Sequence, residues 1–341
     1  MRTTRPLVGV LAFVLFLGAP ALAQSQLTVA KTLHVGGDGG WDYLTVDPQT
    51  HRLYVPRSTH TIVIDSESGK TIADIPGQKR AHGVAIVPQA GRGFISDGGG
   101  DGAVVVFDLK TNAVLGVIAA QPDADGIIFD PASGRVLVVS GDKGTLMSFE
   151  PGIDPKTGKL DPPIELGGKP EFLAADGNGN AYINLVDKDE VAVVDLKARK
   201  VKARWPVAPG GAPVGMSMDT KKRLLFIGCR KPQKLIVMSA NDGKILADLP
   251  IGAGVDATKI DDDLAFASCA DGSLAMARET SPGKFEIIQT VKTAQGARTM
   301  GVDPTTHMIY LPTSEFEETT PGTRPRSKPG TFMIIIVGRA H

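Results

Sequence analysis

"GGWDYLTVDPQTHRLYV" (residues 39–55) holds two short apolar strands around a turn at Asp47-Pro48. Proline fixes φ there, and an aspartate side chain accepts turn N–H groups. The first strand opens on Trp41 and Asp42, where glycine or proline is the usual opening. The phrase recurs. With Asp47 as the phase mark, the chain repeats it at Val87 in "AIVPQAGRGFIS", Asp130 in "IFDPASGRVLVV" and Asp176 in "AADGNGNAYIN". Further marks are Asp219 in "SMDTKKRLLFIG", Asp261 in "KIDDDLAFAS" and Asp303 in "GVDPTTHMIYLP". Successive marks lie 40, 43, 46, 43, 42 and 42 residues apart.

Each unit carries a first strand, a turn, and a second strand such as "RLYV". A third such as "TIVID" or "VAVVD" follows, then a turn such as "SESGK" and a fourth strand such as "TIADI". Four short strands in about 40–45 residues is the period of a propeller blade. Seven marks predict an all-β, seven-bladed β-propeller with four antiparallel strands per blade. The seventh unit supplies three strands, ending in "TFMIIIVGRAH", whereas "LTVAKTLHVGG" (27–37) has the pattern of a fourth. Residues 27–36 are expected to complete blade seven and cover its open edge.

The 341-residue chain has 40 glycines and 24 prolines, in keeping with many turns. At its start, two arginines precede the apolar run Leu7–Leu17, and Ala21-Leu22-Ala23 has the form of a cleavage site. Residues 1–23 therefore read as a signal peptide, leaving 24–341 as one exported domain, periplasmic or secreted. No other run approaches the length of a membrane span, so a soluble protein is expected, taken as a monomer. Lys plus Arg and Asp plus Glu each total 37, and removing Arg2 and Arg5 leaves −2. Such a balance lacks the basic footprint of a nucleic-acid binder.

The recurring unit, with its "DP" turn, "VID" strand and "GK" turn, resembles the YVTN-type repeat of the YncE-like seven-bladed propellers. "GGWDYLTVDP", "GKPEFLAADG" and "GARTMGVDPTTHMIYLPTSEF" resemble an exported bacterial branch of it, over essentially residues 27–341. The resemblance implies the propeller fold. It implies no single activity, since related propellers include lactonases, lyases and dehydrogenases, and the family name suggests DNA binding. Function must be argued from a site.

Five residues before each mark stand Asp42, His82, Asp125, Glu171, Val214, Asp256 and Arg298. In a propeller this column rings the upper mouth of the central channel. Six ionisable members can coordinate a divalent cation, for which Asp42, His82, Asp125 and Glu171 are the metal candidates. They can also perform acid–base chemistry, with His82 as the catalytic candidate, or form only a hydrated mouth of paired charges. The ends of second strands and the loops after them add Arg57, His60 and Arg230 as ligand-binding candidates. Cys229 in "IGCRK" and Cys269 in "ASCAD" occupy matching points of adjacent units, 40 residues apart. They are expected to form a disulfide, the alternatives being buried thiols or soft copper ligands.

The glycine-rich "HVGGDGG" (34–40) precedes a strand rather than a helix and is no phosphate cradle. Blade seven inserts "SEFEETTPGTRPRSKPG" (314–330), expected over the mouth as a lid or a tolerated loop. The leading expectation is a propeller whose charged mouth binds a small molecule, a cation or a protein partner. The alternative is a metal-assisted lactonase or lyase at the same ring, with His82 moving a proton and Arg298 holding a carboxylate. DNA binding comes third, on the family name alone.

Overall fold

Runs such as "VVVFD" and "VAVVD" are apolar at consecutive positions, which suits a strand covered on both faces. In the computed structural model these third strands, Ala103–Asp108 and Glu190–Asp195, are buried through their interiors. The outer strand Lys200–Pro206 ("KVKARWP") instead alternates between exposed and half-buried residues, with one face on its neighbours and one in solvent. The structure describes residues 26–318 and 325–340. The expected signal peptide and residues 319–324 of the insertion lie outside them.

The protein is all-β. Among the described residues, the one helical segment is a turn of 3-10 helix at Pro88–Ala90. It falls at the mark where Val87 replaces the aspartate. At other marks the aspartate fixes the hairpin: the Asp47 carboxylate accepts from the Gln49 amide and the Thr50 hydroxyl, and Asp303 accepts from Thr305 and Thr306.

Five sheets have four antiparallel strands and one has seven. In the larger sheet, the long strand Thr71–Val87 pairs with Ser58–Asp65 through Thr71–Ala81, and with Arg92–Asp97 through Ala81–Val87. Leu27–His34 pairs antiparallel with Met333–Arg339, placing the first described strand at the edge of the last sheet. Its Leu27 also exchanges two backbone hydrogen bonds with the Gln289 side chain of the neighbouring sheet, at 3.0 and 2.7 Å.

The innermost strands are Thr45–Asp47, the second half of Thr71–Val87, Ala124–Asp130, Pro170–Ala175, Pro213–Asp219, Val255–Asp261 and Gly301–Asp303. Each lies against the next, and Gly301–Asp303 lies against Thr45–Asp47. Apolar clusters fill the spaces between sheets, for example Phe94, Val106, Val138 and Phe149. Glycines permit the close approach of inner strands. A Cβ on Gly126 would stand 2.7 Å from the Glu171 carbonyl oxygen, and one on Gly215 would stand 2.8 Å from the backbone of Ala257.

Candidate functional site

Five inner strands lose their pairing register at one place: Ala81–Val84, Ala124–Ile127, Pro170–Leu173, Pro213–Met216 and Val255–Ala257. His82, Asp125, Glu171, Val214 and Asp256 sit inside these irregularities. A bulge turns a side chain out of the alternation of its strand, which is how such residues are aimed at a site. Asp42 and Arg298 lie just ahead of the short strands Thr45–Asp47 and Gly301–Asp303.

The bulged backbone is held from the neighbouring sheet. Ser96 Oγ donates to the Asp125 carbonyl, Asn184 Nδ2 to that of Val214, Ser268 Oγ to that of Arg298, and Thr299 Oγ1 to that of Asp42. Four of the seven ring residues are thereby held by a side chain of a neighbouring unit.

The ring has two unlike halves. In the first, His82 Nδ1 lies 2.6 Å from Asp42 Oδ2 and 3.6 Å from Asp125 Oδ1. One ligand atom from each of Asp42, His82 and Asp125 lies within 4.8 Å of the others. His82 and Asp125 are 7% and 9% exposed, yet His82 Nε2 and Asp125 Oδ1 have no hydrogen-bond partner. Burial alone would push the imidazole down, but the Asp42 hydrogen bond and the charges of Asp125 and Asp42 outweigh it. The His82 pKa stands at about 9. Burial pushes the Asp125 carboxyl well up, and Asp42 and Glu171 push it further, against the pull of His82.

In the second half, Asp256 is clamped between two guanidinium groups. Arg298 Nε donates to Asp256 Oδ2 at 2.7 Å, and Arg230 donates to Oδ1. Burial raises Asp256 while both arginines pull it down. Glu171 stands between the halves without a hydrogen bond of its own among the described residues. Burial raises its pKa, Arg230 opposes this, and Asp256 adds to the rise. It does not belong to the three-residue ligand cluster. Val214 closes the ring as a fully buried apolar residue.

Three expectations need correction. Arg57 does not join the mouth: it is buried, 3.7 Å over the Phe332 ring, and donates to the carbonyls of Gly36, Gly37, Asp38, Gly39 and Gly40. It fastens the loop that delivers Trp41 and Asp42. His60 lies beside the Thr59 hydroxyl, at 3.3 Å, and makes no ion pair with the ring among the described residues. Cys229 and Cys269 are free and buried in separate apolar clusters, the first with Val207 and Ile236, the second with Val214 and Leu235. Burial pushes both thiols up to about 12, so neither offers a thiolate for copper near neutral pH.

Four residues in and below the mouth, Arg80, Asp123, Lys169 and Tyr43, were absent from the sequence reading. Arg80 pairs with buried Asp123 at 2.8 Å, and Lys169 approaches that carboxylate at 3.7 Å. Tyr43 lies below the ring, its ring centroid 4.5 Å from that of Phe172. Burial, then the charges of Asp256, Asp125, Asp42 and Glu171, hold its hydroxyl protonated well above the ordinary range. Part of the insertion reaches the mouth, where Phe316 stacks 6.2 Å from Trp41. A cavity of about 480 Å³ remains, lined among others by Trp41, Asp42, Arg80, His82, Arg298 and Phe316.

No family model and no curated protein matches the chain. Among solved structures it is similar to hydrazine synthase of Kuenenia stuttgartiensis, at a TM-score of 0.70 and 13% identity over 82% of this chain and 94% of that one. At that identity the likeness shows the fold alone, which is propeller-like. Among the described residues, no helix is long and apolar enough to cross a membrane.

Proposed function

We propose that the protein is a seven-bladed propeller whose channel mouth binds a divalent cation through Asp42, His82 and Asp125. The halves of the seven-stranded sheet, added to the five others, support seven blades, and the contact of Gly301–Asp303 with Thr45–Asp47 supports a closed ring. One exported domain spanning residues 24–341, of YncE-like ancestry, belongs to the same reading.

One observation carries the binding site: three ligand atoms converge within 4.8 Å, while Asp125 Oδ1 and His82 Nε2 stay buried without partners. An unsatisfied buried polar group costs about 1–3 kcal/mol. A cation placed among these atoms would take the place of the proton that His82 Nδ1 shares with Asp42 and supply the missing partner of Asp125. Two carboxylates and an imidazole suit Mn²⁺ or Zn²⁺ better than soft Cu(I). Asp256 is occupied by its two arginines and stands outside the site.

Calorimetric titration of chelator-treated protein with Zn²⁺ and Mn²⁺ tests this. About one equivalent is expected to bind. Asp125→Asn is expected to weaken binding by about tenfold or more, roughly 1.4 kcal/mol, in protein that still unfolds cooperatively. No binding heat in the parent, or parental affinity in Asp125→Asn, would leave the mouth a hydrated ring of paired charges. Turnover of lactones by the metal-loaded protein would extend the reading to hydrolysis.

A further inference from the structure

Below the ring, the channel opens into two adjoining cavities of about 460 and 670 Å³ that share Phe129, Phe172 and Lys259. Apolar side chains dominate the first, with Tyr43 and Met300, whereas the second mixes Leu173 and Met216 with Asn178, Ser217, Thr220 and two aspartates. Both volumes fall in the range of about 300–1,000 Å³ common for small-molecule sites. Lys259 is the one cationic side chain lining either cavity. It stands on the inner strand Val255–Asp261, and its Nζ lies 5.4 Å from the Phe172 centroid.

Among the described residues, no carboxylate forms an ion pair with this ammonium group. The two acids lining the larger cavity are engaged elsewhere. Asp130 accepts from the amides of Ala132 and Ser133 in its own turn. Asp176 pairs with Arg223 at 3.0 Å and accepts from Asn180. Burial lowers the Lys259 pKa, with no neighbouring carboxylate opposing the shift. A half-buried ammonium group beside an aromatic ring, with cavity space next to it, has no counter-ion among the described residues.

We propose that the lower channel is a second binding site, for a small amphipathic anion whose carboxylate pairs with Lys259 and whose apolar tail lies along Phe129, Phe172, Met216 and Met300. This site is independent of the cation at the mouth and stands if that reading fails. An apolar tail suits the walls of the first cavity, and a single carboxylate matches the single cation. A doubly charged ligand would leave one charge buried without a partner.

Octanoate is the probe, titrated calorimetrically into the full chain in the presence of chelator, with 1-octanol as the uncharged control. Saturable one-to-one binding of octanoate is expected, with 1-octanol at least about tenfold weaker, a difference of about 1.4 kcal/mol. Lys259→Met is expected to lose about tenfold or more in octanoate affinity and little in 1-octanol affinity. A measurement on the parent chain guards against misfolding of that variant: octanoate should protect Lys259 from reductive methylation, read by peptide mass spectrometry. Absence of saturable binding, equal affinity for acid and alcohol, parental octanoate affinity in folded Lys259→Met, or unprotected Lys259 at saturating octanoate would each overturn the proposal.

Discussion

Replacing Asp42 by asparagine should make the stability of the protein respond differently to pH. The folded-state pKa of His82 rises from 6.5 to about 9, although burial opposes the rise, because Asp42 hydrogen-bonds the imidazolium and Asp125 and Asp42 attract it. At about 1.4 kcal/mol per pH unit, this shift corresponds to about 3 kcal/mol. A raised pKa stabilises the fold fully below the unfolded value of 6.5, and the contribution disappears as pH climbs through about 9. Asp125, also raised, acts with the same sign. Asp42→Asn removes the hydrogen-bonded charge that supports both shifts. The variant should therefore be less stable than the parent by about 2–3 kcal/mol at pH 6 and close to it at pH 9.5. Urea unfolding of chelator-treated protein at pH 6, 7.5 and 9.5 reads this difference, and an imidazole titration by NMR should move down from about 9 in the variant. A stability difference that stays constant across the three pH values would refute the coupling of His82 to Asp42.

Two further outcomes follow from buried groups. Thiol titration should find two free thiols in denatured, unreduced protein and almost none reactive in native protein at pH 8, since burial holds Cys229 and Cys269 at about 12. One disulfide, or fast native labelling, would contradict the packing. Arg57→Met should lower stability by about 2–4 kcal/mol in urea unfolding, because the carbonyls of residues 36–40 lose their shared donor. A loss below about 0.5 kcal/mol would show that the loop holds without it.

The repeat was legible because the turn aspartates recur in phase, and five of the seven turns use the same carboxylate-to-amide hydrogen bonds. The ring was legible for the same reason: five residues before each mark is one geometric position in every unit. Side-chain direction was harder to read. Arg57 ends a second strand, as Arg230 does, but the Gly36–Gly40 loop folds over it and captures its guanidinium. Cys229 and Cys269 occupy matching points, yet one repeat carries the second thiol into the next layer between sheets. Matching positions in neighbouring units therefore do not imply contact. Tyr43 had a weak signal. The column after the ring reads Tyr43, Gly83, Gly126, Phe172, Gly215, Ala257 and Thr299, so one hydroxylated aromatic projects where small residues prevail. Lys259 had a comparable one, as a lysine two residues before its mark on a strand that lines the channel.

The ring and the lysine below it share a physical logic. The backbone carbonyls of Asp42, Asp125, Val214 and Arg298 are each held by a side chain of a neighbouring unit, which fixes the main chain at four of the seven ring positions. His82 is confined as well, since a Cβ on Gly98 would come within 2.9 Å of its Nε2. Rigid walls that keep polar atoms unpaired hold about 1–3 kcal/mol per group against stability. In the second half of the ring, Arg230 and Arg298 discharge that cost by pairing with Asp256; in the first half, Asp125 Oδ1 has no such partner. The contrast lies within one ring, built from equivalent positions of one repeat. It separates a half that the chain neutralises by itself from the half to which we assign the cation.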